Sequence, residues 1–423
     1  MTAPSTFDRR MFLKWASALP LLGYMAVQDA ANKLWGKDAV ENIYTRIGVR
    51  PFINARGTWT YLSGSLELPE VKAAKQAAAG HFVEIFELQR GAGRRLAELS
   101  GAESGMVASG ASGAIASATA GCMAGTDPAK VWQLPDTTGM KGEVVMHGGR
   151  TPFDSAVRVP GAKLVLAYSH DELAKAIGPN TAMIYTTALG EKLEKAIAIA
   201  KNANVPLLLD DAAGIPPIEN LKLYAKMGAD MYTFSGGKGL AGPQCSGILL
   251  GRKHLIDAAL ANSPPWEGAV CRAMKVGKEE IMGCLAAVEY WMKADLGALN
   301  RQWGERVARI QKLVDTVPGV TTEIHVPQDG NRYPTLRVTW DEAAWNFSVA
   351  DCDRKLREGD PRIEVLTNNN PSLVTAVHEG DPKAPREPNR VAIVSMTLQP
   401  GEELIVGRRL REILNDARKG SKS

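Results

Sequence analysis

Pro206-Leu207-Leu208-Leu209 is an unbroken apolar run that stops abruptly at two carboxylates, Asp210-Asp211, followed by Ala212-Ala213-Gly214. A strand apolar at consecutive positions has no wet face, so it belongs inside a mostly parallel sheet covered on both sides. The fold class is therefore α/β. In open α/β sheets the ligand crevice lies beyond the carboxyl ends of the strands, so a carboxylate here points to where ligands bind. Neighbouring strand residues face opposite ways. One of the pair, Asp211 by preference, is expected to face a ligand while Asp210 caps or pairs; the alternative is that both are cap or loop residues at the strand's exit.

The rest of the chain supplies the alternation such a sheet needs. Gly48 to Thr58 reads as an entry strand and turn, and Leu68-Pro69-Glu70-Val71 opens a helix with proline in its first turn. Phe86 to Ser100 is helical in spacing and stops at Gly101. Strand-like Gly142 to Met146, Ala162 to Leu166 and Thr181 to Tyr185 follow, then a helix from Lys192 to Ala203. Beyond Lys278 to Met292, a helix that links lobes, come a helix from Arg301 to Val314 and the strand Thr335 to Trp340. A helix around Ala350 to Glu358, the strand Arg390 to Ser395 and a helix from Pro400 to Leu414 complete a smaller α+β domain. The expected division is a leader and linker at 1–40, a large domain at 41–295 and a small domain at 296–423.

Two stretches carry chemistry. Met231-Tyr232-Thr233-Phe234 runs into Ser235-Gly236-Gly237-Lys238-Gly239 and then Gly242-Pro243-Gln244. A nucleotide-type phosphate loop does not fit, because the residue five before Gly237 is Tyr232 and Gly239 follows the lysine. Lys238 is either a solvated turn residue or a nucleophile. The second stretch is Ser109-Gly110-Ala111-Ser112-Gly113, which opens a helix of small side chains after strand-like Gly105 to Ala108. A helix start offers unpaired N–H groups and the positive end of a dipole, which suits a phosphate; a small-residue helix with an ordinary serine cap reads the same way. A pyridine aldehyde bearing a phosphate needs a lysine, an anion site, a carboxylate for its ring nitrogen and something flat or small against the ring. Lys238, the Ser109 to Ser112 turn with Ser235, Asp211, and the pair Ala213 and His147 match those needs together.

Composition excludes other classes. Lys and Arg number 50 against 46 Asp and Glu and are scattered, so nothing here neutralises many phosphates, and nucleic acid is not an expected partner. Five separated cysteines form no metal spacing with the six histidines and read as free, mostly packed thiols. At the start, Arg9-Arg10-Met11-Phe12-Leu13-Lys14 precedes the apolar run Trp15 to Val27, which resembles a twin-arginine export signal. Export to the periplasm through that machinery is the expectation, with an ordinary extension and a cytoplasmic location as the alternative.

From Gly48 onward the chain resembles the fold-type I pyridoxal phosphate enzymes, and within them the group of selenocysteine synthase and D-glucosaminate-6-phosphate ammonia-lyase. The resemblance rests on Gly48 to Thr58 with Leu68 to Val71, Gly101-Ala102-Glu103 leading into Ser109 to Ser112, Asp211-Ala212-Ala213, the lysine stretch through Gln244, and Met274 to Glu280. It implies that Lys238 forms the Schiff base and moves the Cα proton, and that Asp211 pairs with the ring nitrogen. It also implies that Gly110, Ala111, Ser112 and Ser235, with Ser109, hold the phosphate while His147 and Ala213 flank the ring. A small-domain arginine, Arg337 or Arg362, would take the substrate carboxylate, and Asn54 is a further substrate-binding candidate.

The resemblance implies a lyase acting on a 2-amino, 3-hydroxy acid or amino sugar acid, releasing ammonia and a keto acid from a homodimer or larger homo-oligomer. Racemisation, amino transfer and β-replacement are the enzymatic alternatives on this scaffold, and a silent binding protein is the alternative outside catalysis. The chain lacks a basic arm, and Gly237 stands where selenocysteine synthase carries an acid, so a tRNA substrate is not expected.

Overall fold

Each apolar stretch read as a strand of the large lobe is one. The structure, a computed structural model, describes residues 42–328, 330–367 and 389–420. The arginine pair and the apolar run of the export-like segment lie outside the described residues. The chain divides into two units, Met1–Phe52 and Ile53–Ser423. The described part of the first holds a single helical turn, Thr45–Ile47, closed by Gly48 in the left-handed conformation.

Strand β1 (Phe52–Ala55) spans the boundary between the units. The strands β2 (Ser104–Ala108), β3 (Glu143–His147), β4 (Lys163–Ala167), β5 (Thr181–Thr186), β6 (Leu207–Asp210), β7 (Met231–Ser235) and β8 (Gly247–Gly251) form one seven-stranded sheet. Their spatial order is β2-β8-β7-β6-β5-β3-β4; β8 is antiparallel to both neighbours and the other pairings are parallel. β6 lies at the centre of this order. Its three leucines are fully buried, and each contributes about 1.5–3 kcal/mol of burial, which fixes a strand with no polar face in the middle of the sheet.

Alternation along the strands gives the sheet two different faces. Leu207, Leu209, Tyr232 and Phe234 share one apolar cluster with residues of the helices Ile85–Ser100, Gly190–Ala203, Asn220–Met227 and Lys278–Trp291. Tyr185, Leu208 and Met231 share the other with residues of the helices Gly110–Ala124 and Lys253–Ala261. The register sets Tyr185 beside Leu208 and Asp210 beside Thr233. Asp210, two residues after Leu208, therefore stands on the face that carries the Gly110–Ala124 helix.

The C-terminal part has its own sheet and core. Strands β9 (Val320–His325), β10 (Thr335–Trp340) and, after β11 (Arg362–Val365), β12 (Val391–Val394) pair antiparallel in the order β12-β10-β9. Val307, Ile310, Leu336, Leu356, Ile393 and Leu410 pack there, joined by Ile53 and Ala55. The helix expected from Arg301 starts earlier, at Leu296, because the Asp295 carboxylate accepts the Ala298 N–H at 2.9 Å and caps it. All five cysteines are free thiols, and Cys271, Cys284 and Cys352 are buried.

Candidate active site

The lysine turn leaves the end of β7 and is held from four directions. Gly236 N–H donates to Ser246 O at 2.8 Å and Gly242 N–H to Gly236 O at 2.9 Å. Ser65 N–H donates to Gly237 O at 2.9 Å, and the Trp291 indole donates to Leu240 O at 2.8 Å. Gly239 has no room for a side chain, since a Cβ there would fall 2.2 Å from both Ile215 O and the Tyr333 hydroxyl. Lys238 is thereby fixed at the carboxyl edge of the sheet. Its Nζ lies 5.3 Å from the centre of the Phe153 ring and makes no hydrogen bond or ion pair with any described residue. Burial holds its pKa below that of an ordinary lysine, and the Asp210 and Asp211 carboxylates pull it partway back.

The two aspartates do face opposite ways, each with a tyrosine. Tyr224, on the helix Asn220–Met227, donates to Asp211 Oδ2 at 2.6 Å. Tyr185 of β5 donates to Asp210 Oδ2 at 2.6 Å, and Ala212 N–H reaches Asp210 Oδ1 at 3.1 Å. Burial raises the Asp210 pKa, while the Tyr185 bond and the Lys238 charge oppose that rise. The sequence favoured Asp211 and set Asp210 aside as a cap. Asp210 does make that short-range bond, but it also shares the sheet face of the Gly110–Ala124 helix, whereas Asp211 lies on the face of Leu209.

That helix starts as the sequence indicated. Gly110 has φ +70°, and the Ser109 side chain makes no capping bond, so the first-turn N–H groups keep no side-chain partner. Ser109 and Gly110 are half-buried and Ser112 is exposed, leaving an approach for an anion. Gly247 of β8 passes so close that a Cβ there would sit 2.3 Å from Gly110 C and 2.5 Å from Ala111 N. Ser235 ends β7 two residues beyond Thr233, on the Asp210 face, and its N–H donates to Ala212 O at 3.1 Å.

Other sequence candidates are placed differently. His147 pairs in register with Thr186 on the Leu209 face; its Nδ1 is 3.0 Å from Thr186 Oγ1 and its ring 4.9 Å from that of His170. It is turned away from the phosphate helix, and burial together with the charges of His170 and Lys192 lowers its pKa. Ala213 is half-buried and its carbonyl accepts Asn331 N–H at 3.2 Å, so the segment before β10 rests on it. Asn54 is spent on its own turn, accepting from the N–H groups of Arg56 and Gly57 and donating to Gly57 O. Arg337 lies 3.5 Å from Glu323 on the neighbouring strand, and Arg362 pairs with the buried Glu364. These three are engaged in structural bonds, which do not mark a carboxylate pocket.

Three side chains went unread in the sequence. Phe153 carries no sequence signal, Tyr185 reads only as a strand residue, and Tyr333 lies just before β10 with a fully buried hydroxyl that has no partner among the described residues. Only the strand register brings Tyr185 to Asp210, and no local pattern announces it. Together, a half-buried amine with no hydrogen bond or ion pair to any described residue, a helix start open to solvent and two buried carboxylates whose charges act on the amine fit a phosphate-bearing pyridine aldehyde.

Comparisons with known proteins agree with the fold. Residues 162–353 match the aminotransferase class-V family. The chain is 30% identical over 393 residues to D-glucosaminate-6-phosphate ammonia lyase of Salmonella typhimurium (strain 14028s / SGSC 2262), across 89% of this chain and 99% of that one. A solved structure of D-glucosaminate-6-phosphate ammonia-lyase aligns with a TM-score of 0.72 at 29% identity, over 89% and 99% of the two chains. Identity is 29% to 5'-C-glycyluridine monooxygenase-decarboxylase of Streptomyces sp, covering 91% and 95%. It is 26% to L-seryl-tRNA(Sec) selenium transferase of Moorella thermoacetica, covering 91% and 86%.

Proposed function

Since the chain belongs to the family of pyridoxal phosphate-dependent lyases and transferases that contains D-glucosaminate-6-phosphate ammonia lyase, we propose that it is an ammonia-lyase for a 2-amino, 3-hydroxy acid or amino sugar acid. The observation that carries the reading is Lys238, a half-buried amine of lowered pKa that makes no hydrogen bond or ion pair with any described residue and feels the charges of two buried carboxylates. Pyridoxal phosphate held there supplies an aldehyde carbon for the substrate's amine and a ring that accepts electrons from Cα.

The chain's residues then divide the work. The N–H groups of Gly110, Ala111 and Ser112, with the hydroxyls of Ser109 and Ser235, bind the phosphate. Asp210 is the carboxylate for the ring nitrogen, because it shares a sheet face with that phosphate site; Asp211 is the alternative the sequence favoured. Lys238 takes the substrate's Cα proton at Nζ, and its lowered pKa increases the neutral fraction able to do so. The substrate loses that proton and its Cβ hydroxyl as water, and hydrolysis of the resulting enamine takes one water back and yields ammonia and the keto acid.

An amino sugar acid suits the similarity to the ammonia lyase, and a substrate free of phosphate suits the export-like segment. Periplasmic location through the twin-arginine machinery and a homodimeric or larger assembly belong to the same proposal. The test is product analysis with 3-hydroxy amino acids and amino sugar acids, using Lys238→Ala as control. Equal amounts of ammonia and keto acid, absent in the control, are expected. Amino transfer or racemisation without ammonia release would overturn the lyase reading.

A further inference from the structure

We propose that Tyr185 is a positioning residue for this reaction: its phenol fixes the Asp210 carboxylate in one orientation and holds it as the counter-charge to the cofactor's ring nitrogen. The inference rests on the reading of Asp210 given above. Tyr185 is 1% exposed, and its hydroxyl meets Asp210 Oδ2 at 2.6 Å, the short distance of a charge-assisted bond. Ala212 N–H holds the other oxygen at 3.1 Å. An ionised carboxylate has about four acceptor positions, so two bonds leave lone pairs on both oxygens for a protonated nitrogen.

The direction of the bond follows from the surroundings. Burial and the Asp210 charge push the Tyr185 pKa up, so the phenol keeps its proton and donates. Asp154 is the other charge that acts on the phenol. Lys238 is the one cation among the groups that move the Asp210 pKa. Burial alone would favour a neutral Asp210, and a neutral carboxyl would let the ring nitrogen lose its proton. A tyrosine bonded to a buried carboxylate therefore sets charge at the reacting centre as well as filling the core.

The experiment is a nitrogen-15 spectrum of pyridoxal phosphate labelled at the ring nitrogen, bound to the intact protein and followed with pH. Its chemical shift reports protonation and needs no substrate. In the unmodified protein the nitrogen is expected to stay protonated through neutral pH. Tyr185→Phe is expected to lower its apparent pKa by about one pH unit or more, the loss of one bond to a charged group. Tyr185→Met, which also removes the phenol, is expected to shift it the same way and provides the test if Tyr185→Phe does not fold by circular dichroism. Asp210→Asn abolishes protonation.

If Asp210→Asn removes the proton while Tyr185→Phe, or Tyr185→Met in its place, matches the unmodified protein, the role of Tyr185 is overturned and that of Asp210 stands. If Asp210→Asn keeps the nitrogen protonated and Asp211→Asn does not, the assignment of Asp210 falls and the inference with it.

Discussion

At the residue scale, the site stores instability in Lys238. A lysine whose folded pKa lies below its unfolded value binds protons less well when folded, so stability rises with pH as pH passes from the folded toward the unfolded value. Below both values the partly buried ammonium costs the fold its full penalty. Lys238→Met in the cofactor-free protein should therefore melt higher than the unmodified protein at neutral pH, with the difference shrinking in alkaline solution. A lower melting temperature at neutral pH would mean that the lysine is stabilised by its carboxylates. For the aspartates, Asp210→Asn should lower kcat by about 100-fold or more, as loss of a preorganised charge does, with a smaller effect for Asp211→Asn. Equal effects would contradict the division between the two faces. The lysine and the helix start were legible because both are local patterns of glycine and serine. The choice between adjacent aspartates was not, because it depends on which layer of helices covers which face.

At the scale of elements, the contact between β8 and the first turn of the Gly110–Ala124 helix couples strand packing to anion binding. Gly247→Ala would drive a methyl group into the backbone at Gly110 and Ala111. Overpacking of this kind costs about 1–3 kcal/mol, and the turn must shift to relieve it. The variant should melt lower by thermal scan and bind inorganic phosphate more weakly, whereas unchanged phosphate binding would separate the turn from the anion site. The helices Pro69–Ala79 and Ile85–Ser100 were readable through proline at the first position and Gly101 at the end. β9 was not, since its residues are at most half-buried and its order comes from pairing with β10 rather than from an apolar run. The ion pairs of Arg337 and Arg362 were not legible for a related reason: their acidic partners, Glu323 and Glu364, are set beside them by strand pairing and by the fold of a single strand.

At the scale of the whole molecule, the α/β class followed from one strand with no wet face, and the central sheet with helices on both sides is the architecture that strand requires. Scattered charge, with 50 basic against 46 acidic residues, gives no reason to expect a surface for a phosphate backbone. A gel-shift titration with tRNA at physiological salt should therefore show no complex; a complex that weakens steeply with added salt would point to a basic surface that composition hides. The most direct test of the central claim is reduction of the protein with borohydride after addition of pyridoxal phosphate, followed by peptide mass spectrometry. A phosphopyridoxyl group on Lys238, and none in Lys238→Ala, is the expected result. The same group on a different lysine, or on none, would contradict the site described here.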